Sequence, residues 1–151
     1  MKKLAKLSVS MSVAAAAFII LDQLVKYFAA ANFRIPYALI KDFFEFRYAE
    51  NTGIAFGIPL PSVLMMILTA LVLVFTAYFA VKELNMKSAL ARFAVILILA
   101  GGLGNMIDRV FRGYVIDFIG IWKYPNFNIA DIYITVGVLL IIVFYGKIKK
   151  V

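Results

Sequence analysis

Apolar residues fill four stretches of the chain, each about 20 residues long, the length that crosses a bilayer as a helix. They run roughly over Leu7–Ala31, Ser62–Val81, Ala89–Met106 and Ile129–Tyr145. Between the first two, "FFEFRYAENTG" alternates instead, with Glu45 and Arg47 set between Phe44, Phe46 and Tyr48. Period two with aromatics predicts a strand, and Asn51-Thr52-Gly53 supplies turn chemistry. The expectation is a β-ribbon over residues 43–57 on the outer membrane surface. The stretch 118–128 carries Trp122, Tyr124 and Phe127 beside Lys123, a mix suited to the membrane interface. The pattern predicts a membrane all-α protein: four transmembrane helices with a small β-ribbon or cradle on one face. Residues 1–151 leave room for one domain.

Composition agrees. The chain is 65% hydrophobic with mean hydropathy +0.98, where soluble domains are about half apolar. The first span has a competing reading, because "MKKLAK", an apolar run and "AAA" at residues 29–31 look like a cleavable signal peptide. A signal's apolar region is normally uninterrupted, and here Asp22 and Lys26 intervene.

The formal charge is +8. Nine of the sixteen basic residues fall in three regions: Lys2, Lys3 and Lys6; Lys82, Lys87 and Arg92; Lys147, Lys149 and Lys150. With four spans these share one side, which the positive-inside rule makes cytoplasmic. Both termini are therefore expected in the cytoplasm. Topology and anionic lipid account for much of the charge, and nucleic acid is set aside.

The chain has no cysteine and no histidine. That excludes disulfides, thiolate catalysis, zinc sites of the His/Cys type and any Ser-His-Asp triad. Carboxylates, Lys, Arg, Ser/Thr, Tyr and amides remain.

The carboxylates sit at one depth. Asp22 is 16 residues beyond Lys6, Asp108 is 16 beyond Arg92, and Asp131 is 16 before Lys147. Each separation is roughly 24 Å of helix, near one surface of a roughly 30 Å core. Asp117 follows nine residues after Asp108, with Gly113 between them to turn the chain back. Ion pairs could explain part of this: Asp22 with Lys26 at i,i+4, and Asp108 or Asp117 with Arg109. Lys26 and Arg109 are the only bases clearly at that depth, so at least one carboxyl is expected to lack a full countercharge. Two such groups side by side share a proton.

One ionised and one protonated carboxyl can divide peptide hydrolysis between them. The first takes a proton from water, and the second hydrogen-bonds to the carbonyl oxygen and helps the amine leave. Asn51, Asn105, Asn128 and Arg109 could hold the substrate or the oxyanion. Other classes fit less well. A serine-lysine peptidase would need Ser62 near Lys26. Membrane phosphotransferases begin their pattern with Asp-Gly, presenilin-like proteases carry Gly-x-Gly-Asp where this chain has "GLGN", and rhomboids need Gly-x-Ser-Gly. A carrier would need polar groups through the full depth, and the inner parts of the spans are almost purely apolar. Spacing does not choose between Asp108 and Asp117 as the partner of Asp131.

Four boxes carry a resemblance: "DQLVKYF", "ENTGIAFGI", "GGLGNMIDRVFRGYVIDF" and "FNIADIYI". In this order, placed around four spans, they resemble the lipoprotein signal peptidases, or signal peptidase II, over nearly the whole chain. The resemblance implies an aspartyl endopeptidase of the bacterial inner membrane, with its site towards the outer face. It would cleave diacylglyceryl-modified prolipoproteins just before the lipidated cysteine, without metal or cofactor. It names Asp117 and Asp131 as the catalytic pair and Asn128 as orienting the site from the helical face it shares with Asp131. Asn51, Asn105 and Arg109 would contact substrate and Asp108 would support them. Asp22 and Lys26 would hold the first span in place. Inhibition by globomycin-type cyclic peptides is a further implication. Nothing in the sequence requires more than a monomer. Gly101, Gly102, Gly104 and Phe56 are read as packing residues, and Gly113 as a turn residue.

Overall fold

The computed structural model describes residues 2–53 and 61–150, with residues 2–8 described by backbone alone. The elements are α1 (Lys2–Asn32), β1 (Tyr37–Ile40), β2 (Phe44–Asn51), α2 (Ser62–Glu83), α3 (Ala89–Arg112), β3 (Val115–Ile121) and α4 (Ile129–Ile148). Each of the four helices includes a stretch long and apolar enough to cross a membrane. The strands form one antiparallel sheet in the order β1-β2-β3. It lies at the end of the bundle where α1 and α3 finish and α2 and α4 begin.

α3 is the central helix. Ala94, Val95, Leu97, Ala100, Gly101 and Gly104 are buried on it, while much of α2 and α4 presents exposed apolar side chains, Val74 and Val143 among them. Bare glycine backbone sets how closely α3 and α4 approach. A Cβ on Gly101 would meet the Ala130 carbonyl oxygen at 2.4 Å, and one on Gly137 would meet the Ala94 carbonyl oxygen at 2.7 Å. At the other end Asn85 N–H bonds the Ile148 carbonyl at 2.7 Å, which ties the α2–α3 turn to the end of α4.

Three sequence expectations need correction. The third span does not stop at Met106 but runs to Arg112, where Gly113 ends it in left-handed conformation (φ 82°). Asp108 is buried against Lys26 of α1 and pairs with Arg112 one turn on, so its charge does not break the helix earlier. The ribbon expected over 43–57 is β2 over Phe44–Asn51, in a sheet of three strands; residues 54–60, with Phe56, lie outside the described residues. β3 falls in a region read as a turn and an interfacial stretch. Its residues are buried on both faces, so it shows no alternation to betray it. Lys2, Lys3 and Lys6 have side chains outside the described set. α1 is continuous through Asp22 and Lys26 to Asn32, so the first span is part of the folded body.

Gly101→Ala is expected to destabilise the fold by about 1–3 kcal/mol, because the new Cβ meets backbone oxygen rather than a yielding side chain. Thermal unfolding in detergent checks this.

Candidate active site

The site is built from a buried ion cluster outward. Lys26, with no exposed side-chain surface, lies 2.9 Å from Asp22 Oδ2 and 2.9 Å from Asp108 Oδ2, both equally buried. Its third donor bond runs to Asn105 Oδ1 at 2.9 Å. Asp22 and Lys26 are one turn apart on α1, so a single helix face presents both. The approach needs Gly104, where a Cβ would fall 2.6 Å from Asp22 Oδ2. The free oxygen of Asp22 accepts the Ala130 N–H at 3.1 Å, so a side chain of α1 satisfies a first-turn donor of α4. Asp108 is ion-paired with Arg112 at i,i+4 and accepts the Ile116 N–H of β3 at 3.3 Å. Gln23 bonds both Asp108 and the Gly104 carbonyl.

Asp117 on β3 and Asp131 on α4 face each other across Asn128. Asp117 accepts from Asn51 Nδ2 at 2.8 Å and from Asn128 Nδ2 at 2.7 Å. Asp131 accepts from Asn105 Nδ2 at 2.8 Å and from the Asn128 backbone N–H at 3.1 Å. The orientation of all three amides is forced. Asn51 Oδ1 accepts the Gly53 N–H, Asn128 Oδ1 accepts the Asp131 N–H, and Asn105 Oδ1 accepts from the Lys26 ammonium. Those partners can only donate, so each amide must turn its NH₂ towards a carboxyl. Both carboxyls line a cavity of about 250 Å³ with Asn51, Met65, Arg109 and Phe127. Burial, and then the negative charge of Asp131, raise the Asp117 pKa to about 6. Asp117 thus keeps its proton well above the usual carboxylate range.

The family model described as Signal peptidase (SPase) II matches residues 14–146. The chain belongs to the signal peptidase II family. It is therefore a peptidase of the aspartic type. It is 39% identical over 134 residues to a lipoprotein signal peptidase of Clostridium novyi (strain NT), covering 83% of this chain and 90% of that protein. It is 37% identical over 147 residues to one of Caldanaerobacter subterraneus subsp. tengcongensis, covering 92% and 100%. Among solved structures, a bacterial membrane enzyme determined by the in meso method at 2.3 Å resolution superposes with TM-score 0.79 at 34% identity. That match covers 91% of this chain and 88% of the other.

All nine residues singled out by the signal peptidase II resemblance lie in this one assembly. Asp117, Asp131, Asn51 and Arg109 line the cavity. Asn105 and Asn128 bond the two carboxyls, and Asp22, Lys26 and Asp108 form the cluster behind them. Two relations differ from expectation. Asn128 does not share a helical face with Asp131; it is the N-cap of α4, and the two form a reciprocal capping box. Asp108 pairs with Lys26 and Arg112, not with Arg109, whose guanidinium reaches the Asn105 carbonyl at 3.5 Å. The serine-lysine arrangement set aside on sequence is not formed: Ser62 donates to the Gly113 carbonyl at 2.7 Å, and Lys26 is held by Asp22, Asp108 and Asn105. Arg112 and Gln23 were missed. The i,i+4 spacing of Asp108 and Arg112 would have shown the first, had the helix been carried past Met106. Gln23 carries no signal beyond its place beside Asp22.

Lys26→Met leaves two buried carboxylates short of countercharge, and a loss of about 3–5 kcal/mol is expected, read by unfolding in detergent. Asp131→Asn removes the negative neighbour, which makes the ionised form of Asp117 easier to reach. Asp117 should then deprotonate below the wild-type value of about 6, yet above an ordinary Asp because burial persists. Infrared titration of the carboxyl stretch measures it.

Proposed function

We propose that this signal peptidase II removes the signal peptide from diacylglyceryl-modified prolipoproteins just before the lipidated cysteine, with Asp117 and Asp131 as its catalytic pair. One observation carries the reading: two carboxyls from different elements, bound to the same Asn128, line one cavity at one end of a four-helix bundle. In this scheme the shared proton is assigned to Asp117, whose pKa is raised by burial and by the charge of Asp131. Asp131 then takes a proton from water as the water oxygen adds to the scissile carbonyl carbon. Asp117 gives its proton to the carbonyl oxygen. On collapse the C–N bond breaks, the amine nitrogen takes the proton from Asp131, and the oxygen returns its proton to Asp117. Arg109, at the cavity wall, holds substrate carbonyl oxygens together with Asn51 and Asn105. Asp22, Lys26 and Asp108 keep the pair in place.

Residues 1–151 act as one membrane peptidase unit in the bacterial cytoplasmic membrane, with the site towards the outer face and both termini inside. In support, the basic α2–α3 turn and the basic end of α4 are hydrogen-bonded together, Lys150 N–H to the Glu83 carbonyl at 2.7 Å, at the end of the bundle away from the site. Every group named comes from one chain, so a monomer suffices. No cofactor enters the scheme, and globomycin-type peptides are expected to block the same cavity.

The test is cleavage of a diacylglyceryl-modified prolipoprotein by purified protein, followed as a mass shift on a gel with a chelator present. The wild type should cleave, and Asp117→Asn and Asp131→Asn should each lose on the order of a thousandfold or more in rate. Activity surviving in both variants moves the chemistry to other residues, and sensitivity to the chelator favours a metal-dependent reaction.

A further inference from the structure

A second cavity, of about 340 Å³, opens on the polar face of the sheet. The opposite face is taken up by apolar packing of Phe44, Phe46 and Ile119 around Ala29 of α1. The floor of the cavity is a cross-strand row: Ala38 on β1, Glu45 on β2 and Gly120 on β3, paired in register. Small residues at both ends of that row leave a trough across the strands. A Cβ on Gly120 would stand 3.1 Å from Glu45 Cγ and 3.2 Å from Asn126 Oδ1. Lys41 and Asp42 of the β1–β2 hairpin, with Trp122 and Asn126, line this cavity too. Asn126 also lines the cavity of the aspartate pair, so the two spaces adjoin across one side chain.

Backbone strain gathers at the same place. Among the described residues, two that are not glycine have left-handed backbone, Asp42 (φ 58°) and Trp122 (φ 48°), and both line this trough. Trp122 N–H is fastened to the Phe43 carbonyl. A bulky residue in that conformation carries a cost that the surrounding structure must hold, and such outliers cluster at ligand clamps. Here the strain sets an indole ring, 70% exposed, at the rim. The charges are balanced, Lys41 against Asp42 and Arg47 against Glu45, the latter pair at 3.3 Å. That suits an extended polar polypeptide better than any one small ion.

Resting on the function proposed above, we propose that this trough binds the polar stretch of the substrate chain that follows the cleaved bond. The chain leaves the aspartate cavity past Asn126 and crosses the sheet beneath Trp122. A substrate held at the pair must part in two directions, its apolar signal segment towards lipid and its mature segment towards water. The trough is the polar route.

Two substrates test it, alike in signal peptide and lipidated cysteine. One carries its natural downstream segment, and the other ends directly after the cysteine. The unaltered protein should prefer the long substrate in kcat/KM. Trp122→Gly keeps the left-handed backbone without cost and removes the ring, and Gly120→Val fills the floor. Each should cut the preference by about tenfold, the size of a modest contact. Equal cleavage of both substrates by the unaltered protein, or a preference that survives both variants, overturns the proposal. Failure of the unaltered protein to cut either substrate counts against the peptidase reading instead.

Discussion

A cation without water must be surrounded by its countercharges, and Lys26 imposes that condition on the whole site. Its partners come from two helices, Asp22 on its own and Asp108 and Asn105 on α3. Asp22 reaches on to the backbone of α4, and Asp108 to the backbone of β3. Moving any one of these elements would strip a bond from a buried charge, which costs far more than the pair itself contributes when intact. The balance is two for two, with Arg112 as the second cation. The cluster therefore acts as a fixed reference at the bundle end, against which the two aspartates are placed.

The order set by Lys26 passes outward through the amides. Lys26 fixes Asn105, the α4 backbone fixes Asn128, and the Gly53 turn fixes Asn51. Each presents donors to Asp117 or Asp131, so both carboxyls sit among N–H groups. In the proposed reaction, amides that cannot flip spare the two carboxyls any reorganisation as charge develops. The cost is carried by close helix packing at Gly101, Gly104 and Gly137, where no side chain would fit without displacing backbone or the Asp22 carboxylate.

Much of this was legible along the chain. Four spans follow from length and hydropathy, because lipid leaves few other solutions for a long apolar segment. The common depth of Asp22, Asp108 and Asp131 follows from helical rise alone, and the motifs carried the family. Less legible were features that depend on two-sided burial or on contacts across elements. β3 was hidden because its residues are buried on both faces. β1 is four exposed residues, too short to show a period. The extension of α3 to Arg112 was hidden because charges read as an exit from the membrane, whereas Asp108 is paired with Lys26 of α1 and with Arg112 on α3 itself.

By itself the sequence determined the class of protein, the number of spans and the residue types left for chemistry, since these depend on composition and periodicity. Its motifs named Asp117 and Asp131 as the pair, but spacing gave no physical reason for that choice. Asp108 and Asp117 are equally plausible by spacing, and their fates differ by surroundings. Asp108 ends among two cations and the Ile116 N–H. Asp117, carried back by Gly113 into the sheet, accepts its hydrogen bonds from the neutral amides of Asn51 and Asn128 and faces a cavity that Asp131 and Arg109 also line. Long-range pairing of β2 with β3 sets that difference, because a carboxyl's chemistry follows the groups around it and those groups arrive from distant parts of the chain.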